Sequence, residues 1–153
     1  MKYALGLIMS LCVTFACHAD CALASKAALN FMNEYTKYNV DFFNKRTKEE
    51  TDHWVQRNTR LTPNFKKSYK EMVEAARKSD PELGLDFDPI FDAQDYPDNG
   101  FKFLTCDEKS DVIRLVGNGW ENFKVTVKVI RHENDWLIDG AGVINISEDL
   151  RTH

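Results

Sequence analysis

The sequence predicts an α+β fold, with N-terminal helices packed on a curved, four-stranded antiparallel sheet. Three observations predict it. Phe65, Tyr69, Met72, Val73 and Ala76 fall at i, i+4, i+7, i+8 and i+11, one face of a helix. Phe123, Val125, Val127 and Val129 alternate with Lys124, Thr126 and Lys128, the period of a strand with one apolar and one polar face. Glu133-Asn134 then reverses the chain into Trp136 and Ile138, so the strands follow one another as a meander. Helices gathered on the apolar face of such a sheet make a two-layer domain.

The chain opens on a leader pattern. Lys2 supplies a positive charge, residues 4–16 are almost uninterruptedly apolar, and Cys17-His18-Ala19 puts small residues where a signal peptidase reads. Residues 1–19 are expected to be a cleaved signal peptide, with the cut at Ala19–Asp20. Ala24–Ser25 is a second candidate cut, because Ala22-Leu23-Ala24 also has small residues at the right spacing. A spanning helix needs about 20 apolar residues, and this run is too short. Cys17 raises a lipoprotein alternative, against which stand Thr14, where the lipid-attachment motif wants Leu, Val or Ile, and the bulky Phe15. The expected product is one periplasmic domain, residues 20–153.

Helix periodicity resumes at once. Ala28, Phe31, Tyr35, Tyr38 and Phe42 recur at steps of three and four, predicting a long helix over 22–45. Lys45, Arg46 and Lys48 lie where cations favour its carbonyl end. A short helix is expected over 49–57, with Trp54 and Val55 inward. The third opens at Thr62-Pro63, an N-cap followed by proline in the first turn, and stops near Asp80-Pro81. Residues 80–100 read as an Asp- and Pro-rich loop. Strands are expected over 101–107, 112–117 and around 123–129, and a fourth carries Trp136, Ile138, Gly140 and Gly142. The glycine pair predicts a bend or a close approach of another segment.

Charge and cysteine content narrow the function classes. The net charge is −4, and Lys2 would leave with the leader. No dense Lys/Arg stripe exists, which argues against nucleic acid as a partner, while an acidic surface suits a basic protein. Cys12 and Cys17 lie in the leader; Cys21 and Cys106 remain, and in an oxidising compartment they are expected to pair, closing a loop of about 85 residues. The alternative, a reactive thiol, lacks a local histidine or cationic cluster.

Asp88-Pro89-Ile90-Phe91-Asp92-Ala93-Gln94-Asp95 is similar to the Asp-Pro-apolar-apolar-x-Ala-Gln-Asp box of an uncharacterised family of small exported bacterial proteins. The order of helices, then bent strands, with Asn134-Asp135-Trp136-Leu137-Ile138-Asp139 in the last hairpin, resembles the cystatin-like or NTF2-like cone. The resemblance implies a concave sheet wrapped on a helix. That scaffold serves ligand pockets, enzymes and protein docking alike.

Candidate sites follow from residue chemistry. Asp86, Asp88, Asp92, Asp95 and Asp98 crowd one loop and could offer oxygen ligands to calcium. Counting Asp86 as position 1 of a helix–loop–helix calcium loop puts Ile90 at 5, Phe91 where glycine is required, and Pro97 where the bidentate Glu belongs, so the template fails. The carboxylates are expected instead to fix turns before Pro89 and Pro97, with Gln94 and Asp95 locking the loop. Ile90, Phe91 and Tyr96 interleaved with Asp92 and Asp95 also form a candidate contact edge, with Trp120 at the Gly117-Asn118-Gly119 turn as a further anchor. That turn lacks the following helix and the Lys or Ser/Thr of a phosphate loop. His53 and His132 stand apart from any zinc-ligand pattern. Arg114, Lys124 and Lys128 mark a polar sheet face, read as solvent-washed or as a docking surface.

No catalytic constellation, metal set or cofactor motif emerges. The expectation is therefore a non-enzymatic, exported protein-binding domain, in its sharpest form an immunity or inhibitor protein that occludes a basic toxin or hydrolase. One alternative is a carrier or sensor with an apolar ligand among Phe31, Tyr35, Phe65, Tyr69 and Val127, residues that equally suit a core. Another is an enzyme on the same cone, with Asp139 as acid–base.

Overall fold

The computed structural model describes residues 15–107 and 109–152. Lys2, Cys12 and the apolar run up to residue 14 lie outside the described residues, as does His153. Three helices, α1 (Phe15–Phe43), α2 (Thr51–Arg57) and α3 (Pro63–Ser79), precede four strands, β1 (Phe101–Asp107), β2 (Val112–Gly117), β3 (Trp120–His132) and β4 (Asp135–Ala141). The strands form one antiparallel sheet in the order β1-β2-β3-β4. The α+β class and the meander are as the periodicities predict. α1 begins at Phe15 rather than residue 22, and the expected cut at Ala19–Asp20 falls in its first turns. No described helix is long and apolar enough to cross a membrane.

The predicted stripes form the core. Ala28, Phe31, Tyr35 and Tyr38 of α1 meet Trp54 and Val55 of α2, Phe65, Tyr69 and Val73 of α3, and Val125, Val127 and Val129 of β3. The start of α3 is capped as its sequence requires: Thr62 Oγ1 accepts the Phe65 N–H at 3.0 Å, and Pro63 occupies the first turn. The cap also tethers the helix to the sheet. Thr62 N–H donates to Ile138 O, and Ile138 N–H donates to Arg60 O, a short parallel bridge that closes the β4 edge.

Cys21 and Cys106 form the expected disulfide, with Cα atoms 6.3 Å apart. It ties the early turns of α1 to the end of β1.

The sheet is covered on both faces, not one. Inner-face residues Ile113 and Leu115 pack on the helices, and outer-face Val112 and Val116 are also buried. The cover is the chain's own C-terminal segment. After β4, Gly142 adopts φ +59° and the chain doubles back, Ala141 and Ile144 exchanging backbone hydrogen bonds. Ile146 is then buried beside Gly140, Thr126 Oγ1 donates to Leu150 O at 2.8 Å, and Thr152 Oγ1 donates to Lys124 O. A Cβ on Gly140 would stand 2.7 Å from Ile144 O, so the glycine admits the returning backbone. The face read as solvent-washed or docking is corrected accordingly: its middle is occupied by residues 144–152, and Lys128 is spent on an ion pair with Asp139 at 3.2 Å.

Asp139 is held by four side chains, Thr62 and Asn64 at the start of α3, Lys128 of β3 and Asn145 after β4. It is the extra residue of a bulge in β4, between the pairs Lys128↔Gly140 and Val129↔Ile138. Thr62 Oγ1 and Asn64 Nδ2 donate to its carboxylate at 2.8 and 3.3 Å, and Asn145 Nδ2 donates to its carbonyl. Burial alone would raise its pKa, but the Thr62, Asn64 and Lys128 donors outweigh that and hold it below the usual carboxylate range. Because its pKa is lowered in the folded state, the stabilisation is full above the ordinary Asp range and is lost as pH falls through the depressed value. Thr62→Val keeps the shape but removes both the cap and a donor to a buried carboxylate. It is expected to cost about 1–2 kcal/mol at neutral pH. The gap from wild type, read from urea midpoints, should narrow below Asp139's own pKa; a constant gap down to strong acid would show that the carboxylate is not coupled to the cap.

Candidate functional site

The Asp-Pro loop has an inward and an outward side. Asp88 organises the inward one. Its Oδ1 accepts the N–H groups of Ile90 and Phe91 at 2.8 and 3.0 Å, and Asp88 and Ala93 exchange backbone hydrogen bonds, closing residues 88–93 into a ring. Asp92 turns the ring at φ +58°. Gln94 Nε2 locks it by donating to Asp86 O. The backbone of Pro89 and Ile90 lies against Gly142, where a Cβ would stand 2.4 Å from Pro89 O, and Val143 N–H donates to that carbonyl. Asp88 thus fixes the turn at Pro89 and Gln94 locks the loop, as the carboxylate–backbone reading predicts for these two residues. Among the described residues no acidic, histidine or cysteine group has the arrangement to hold a metal ion.

This closure drives Ile90 and Phe91 into the core, where both are fully buried. Their expected role as partner contacts is corrected: the Asp88 turn points them away from solvent. Phe91 lies 4.9 Å from the Tyr35 ring, 4.6 Å from Tyr96 and 6.0 Å from Phe101, centroid to centroid. Of the other contact candidates, Asp95 is exposed, Asp92 and Tyr96 are half-buried, and Trp120 is 43 % exposed.

The rings continue to the surface at both ends. Phe101 meets Phe123 at 5.9 Å, and Phe123 meets Trp120 at 5.2 Å. In the other direction Tyr96 stacks on Phe43 at 6.4 Å, and Phe43 is 69 % exposed. Phe43, Tyr96, Phe91, Phe101, Phe123 and Trp120 therefore form one aromatic ladder, buried in its middle and open at its ends. The loop between is rigidly docked on the β2–β3 turn: Asn118 N–H donates to Gly100 O, Asn118 Nδ2 donates to Asn99 O, and Pro97 packs against Gly117. Asp95, Asp98 and Glu121 are exposed around it. Phe43 was not picked out by the sequence reading; the doubled Phe42-Phe43 is its signal, since only one of two adjacent residues can lie on the inner stripe.

Beneath the same loop lies a pocket of about 260 Å³, lined by Tyr35, Tyr69, Asp52, Arg77, Asp88 and Leu83 among others. Its polar groups satisfy one another. Tyr35 Oη donates to Asp88 Oδ2 at 2.7 Å, Tyr69 Oη to Asp52 Oδ1 at 3.0 Å, and Arg77 Nη1 to Asp52 Oδ2 at 2.8 Å. Burial, reinforced by the neighbouring carboxylates, pushes both tyrosine hydroxyls up, and burial also raises Asp88. Phe31, Phe65 and Val127, named with these tyrosines as an apolar ligand lining, are fully buried core. Asp139, the acid–base candidate, is the structural anchor described above. His53 is an exposed helix residue whose Nδ1 lies 2.8 Å from Glu49 Oε1, and Arg57 bonds the same carboxylate.

No protein-family model, curated protein or solved structure matches the chain.

Proposed function

We propose that the chain is a protein-binding inhibitor domain that docks a basic partner through the open ends of its aromatic ladder. The domain is read as a periplasmic immunity-type protein on a cystatin-like or NTF2-like cone. The single observation that carries the reading is the ladder itself: Phe43 and Trp120 reach solvent, while Phe91 and Phe101 at its middle are core and half-buried Tyr96 and Phe123 join them to the ends. Exposed aromatics backed by fixed ones lose little freedom on binding, which is what makes such side chains effective interface anchors. Asp95 and Asp98, exposed around them, would steer and orient a cationic surface. Inhibition would come from occlusion, a rigid edge laid over the partner's cleft.

The test is site-specific photocrosslinking in cells that make the protein. A photoreactive residue at Tyr96 or Trp120 is expected to trap the same basic protein, and one at Lys67, on exposed α3 surface, is expected to trap none of it. The purified partner should lose activity with one equivalent of the domain, and Trp120→Asp should weaken that inhibition at least about tenfold, as loss of an aromatic anchor does. Equal trapping from Lys67, or full partner activity in the complex, would discard the reading.

A further inference from the structure

We infer that β1 pairs with β1 of a second copy of this chain, joining two sheets edge to edge about a two-fold axis. The two edges of the sheet are treated differently. Residues 60–62 close the β4 edge, whereas among the described residues side-chain hydrogen bonds cover the β1 backbone at Phe101 alone, where Asn33 Oδ1 accepts the Phe101 N–H and Asn33 Nδ2 donates to Phe101 O; the Cys21–Cys106 bond ties the far end of the strand to α1. Beyond Phe101 the edge exposes two large apolar side chains at its centre, Phe103 at 48 % and Leu104 at 40 %. An exposed apolar edge is a template for strand addition unless something blocks it.

The occupant follows from the register. A bulge sets Phe103 opposite Leu115 and Thr105 opposite Arg114, so Leu104 is the extra residue. In an unbulged strand, residues 102 and 107 would lie on opposite faces. Here Lys102 pairs with Val116 and Asp107 with Val112, both on the outer face, while Phe103 and Cys106 pair with inner-face Leu115 and Ile113. A two-fold interface requires that if residue i meets residue j, then j meets i on the same face. The bulge makes β1 meet that condition. Antiparallel self-pairing centred between Leu104 and Thr105 sets Lys102 against Asp107 of the second copy at both ends, on the outer face. It sets Phe103 against Cys106 on the inner face. Lys102 Nζ bonds Glu121 within its own chain at 2.6 Å, leaving two ammonium donors, and the Asp107 carboxylate, bonded by Lys109 N–H and Ser110 Oγ, keeps acceptor capacity. Opposite charges at symmetric positions and apolar side chains at the centre fit this strand to itself.

Sedimentation of the purified, disulfide-bonded chain tests it. The wild type is expected to form a concentration-dependent dimer. Lys102→Glu and Asp107→Lys each place two like-charge pairs in the interface and are expected to weaken it at least about tenfold. Mixing the two variants restores both attractive pairs, so the mixture should dimerise where neither does alone. That recovery also reports that both variants are folded. Leu104→Lys, at an exposed bulge position, should give a monomer whose thermal midpoint equals that of the wild type at concentrations low enough to dissociate it. A wild type that stays monomeric to about millimolar concentration, a dimer indifferent to both charge reversals, or a mixture that fails to recover would each overturn the inference.

Discussion

Replacing Cys21 and Cys106 together by alanine is expected to cost about 3–5 kcal/mol and to lower the urea midpoint by about 2 M. The bond closes a loop of 85 residues by sequence separation, taking in all of α2, α3 and the Asp-Pro loop. Without it the unfolded chain regains the freedom of that whole segment, and a longer loop gives a larger loss. The folded state loses its covalent tie between the early turns of α1 and the end of β1, leaving buried Ala24 and the exposed Asp20–Arg131 ion pair at 3.5 Å to hold that end of the helix. Reducing agent should reproduce the double variant. A loss under about 1 kcal/mol would mean that α1 is held at that end by packing alone.

Phe91→Ala is the second large effect, expected at about 3–5 kcal/mol with an unchanged denaturant slope. The side chain is fully buried among Tyr35, Tyr96 and Phe101, so its truncation leaves a cavity between three rings. Trp120→Ala, on the same ladder but at its open end, should change stability by only about 0.5 kcal/mol or less. The pair of variants separates the two jobs that aromatic residues of this region can do. If Phe91→Ala left stability near wild type while weakening partner capture, Phe91 would be a contact and not a keystone of the core.

Local chemistry made much of this fold legible. The α3 stripe with its Thr62-Pro63 start, the alternation of β3, the reversal at Glu133-Asn134 and the Cys21–Cys106 pairing all depend on residues near in sequence or on simple counting. What stayed hidden depends on partners far along the chain. Lys124, Thr126 and Lys128 read as a wetted face because nothing in residues 143–152 has a period, yet that segment supplies Leu150 O to Thr126 and seats Ile146 on the sheet. Ile90 and Phe91 read as a contact edge because Asp residues surround them. Only the direction of the Asp88 turn decides that they face inward, and sequence spacing does not encode that direction. Asp139 looked like a spare carboxylate because its partners, Thr62 and Asn64, come from the opposite half of the chain. The open ends of the ladder were half legible: Trp120 stood out at a turn, and Phe43 hid behind its neighbour.

The seating of Gly142 and Val143 beneath Pro89 couples two stretches far apart in sequence. Val143 N–H donates to Pro89 O, and a Cβ at position 142 would stand 2.4 Å from the same oxygen. The turn that aims Ile90 and Phe91 inward is therefore bolted from behind by the segment that follows β4, so a side chain wedged in at 142 would be felt at the aromatic rings on the far side of the loop.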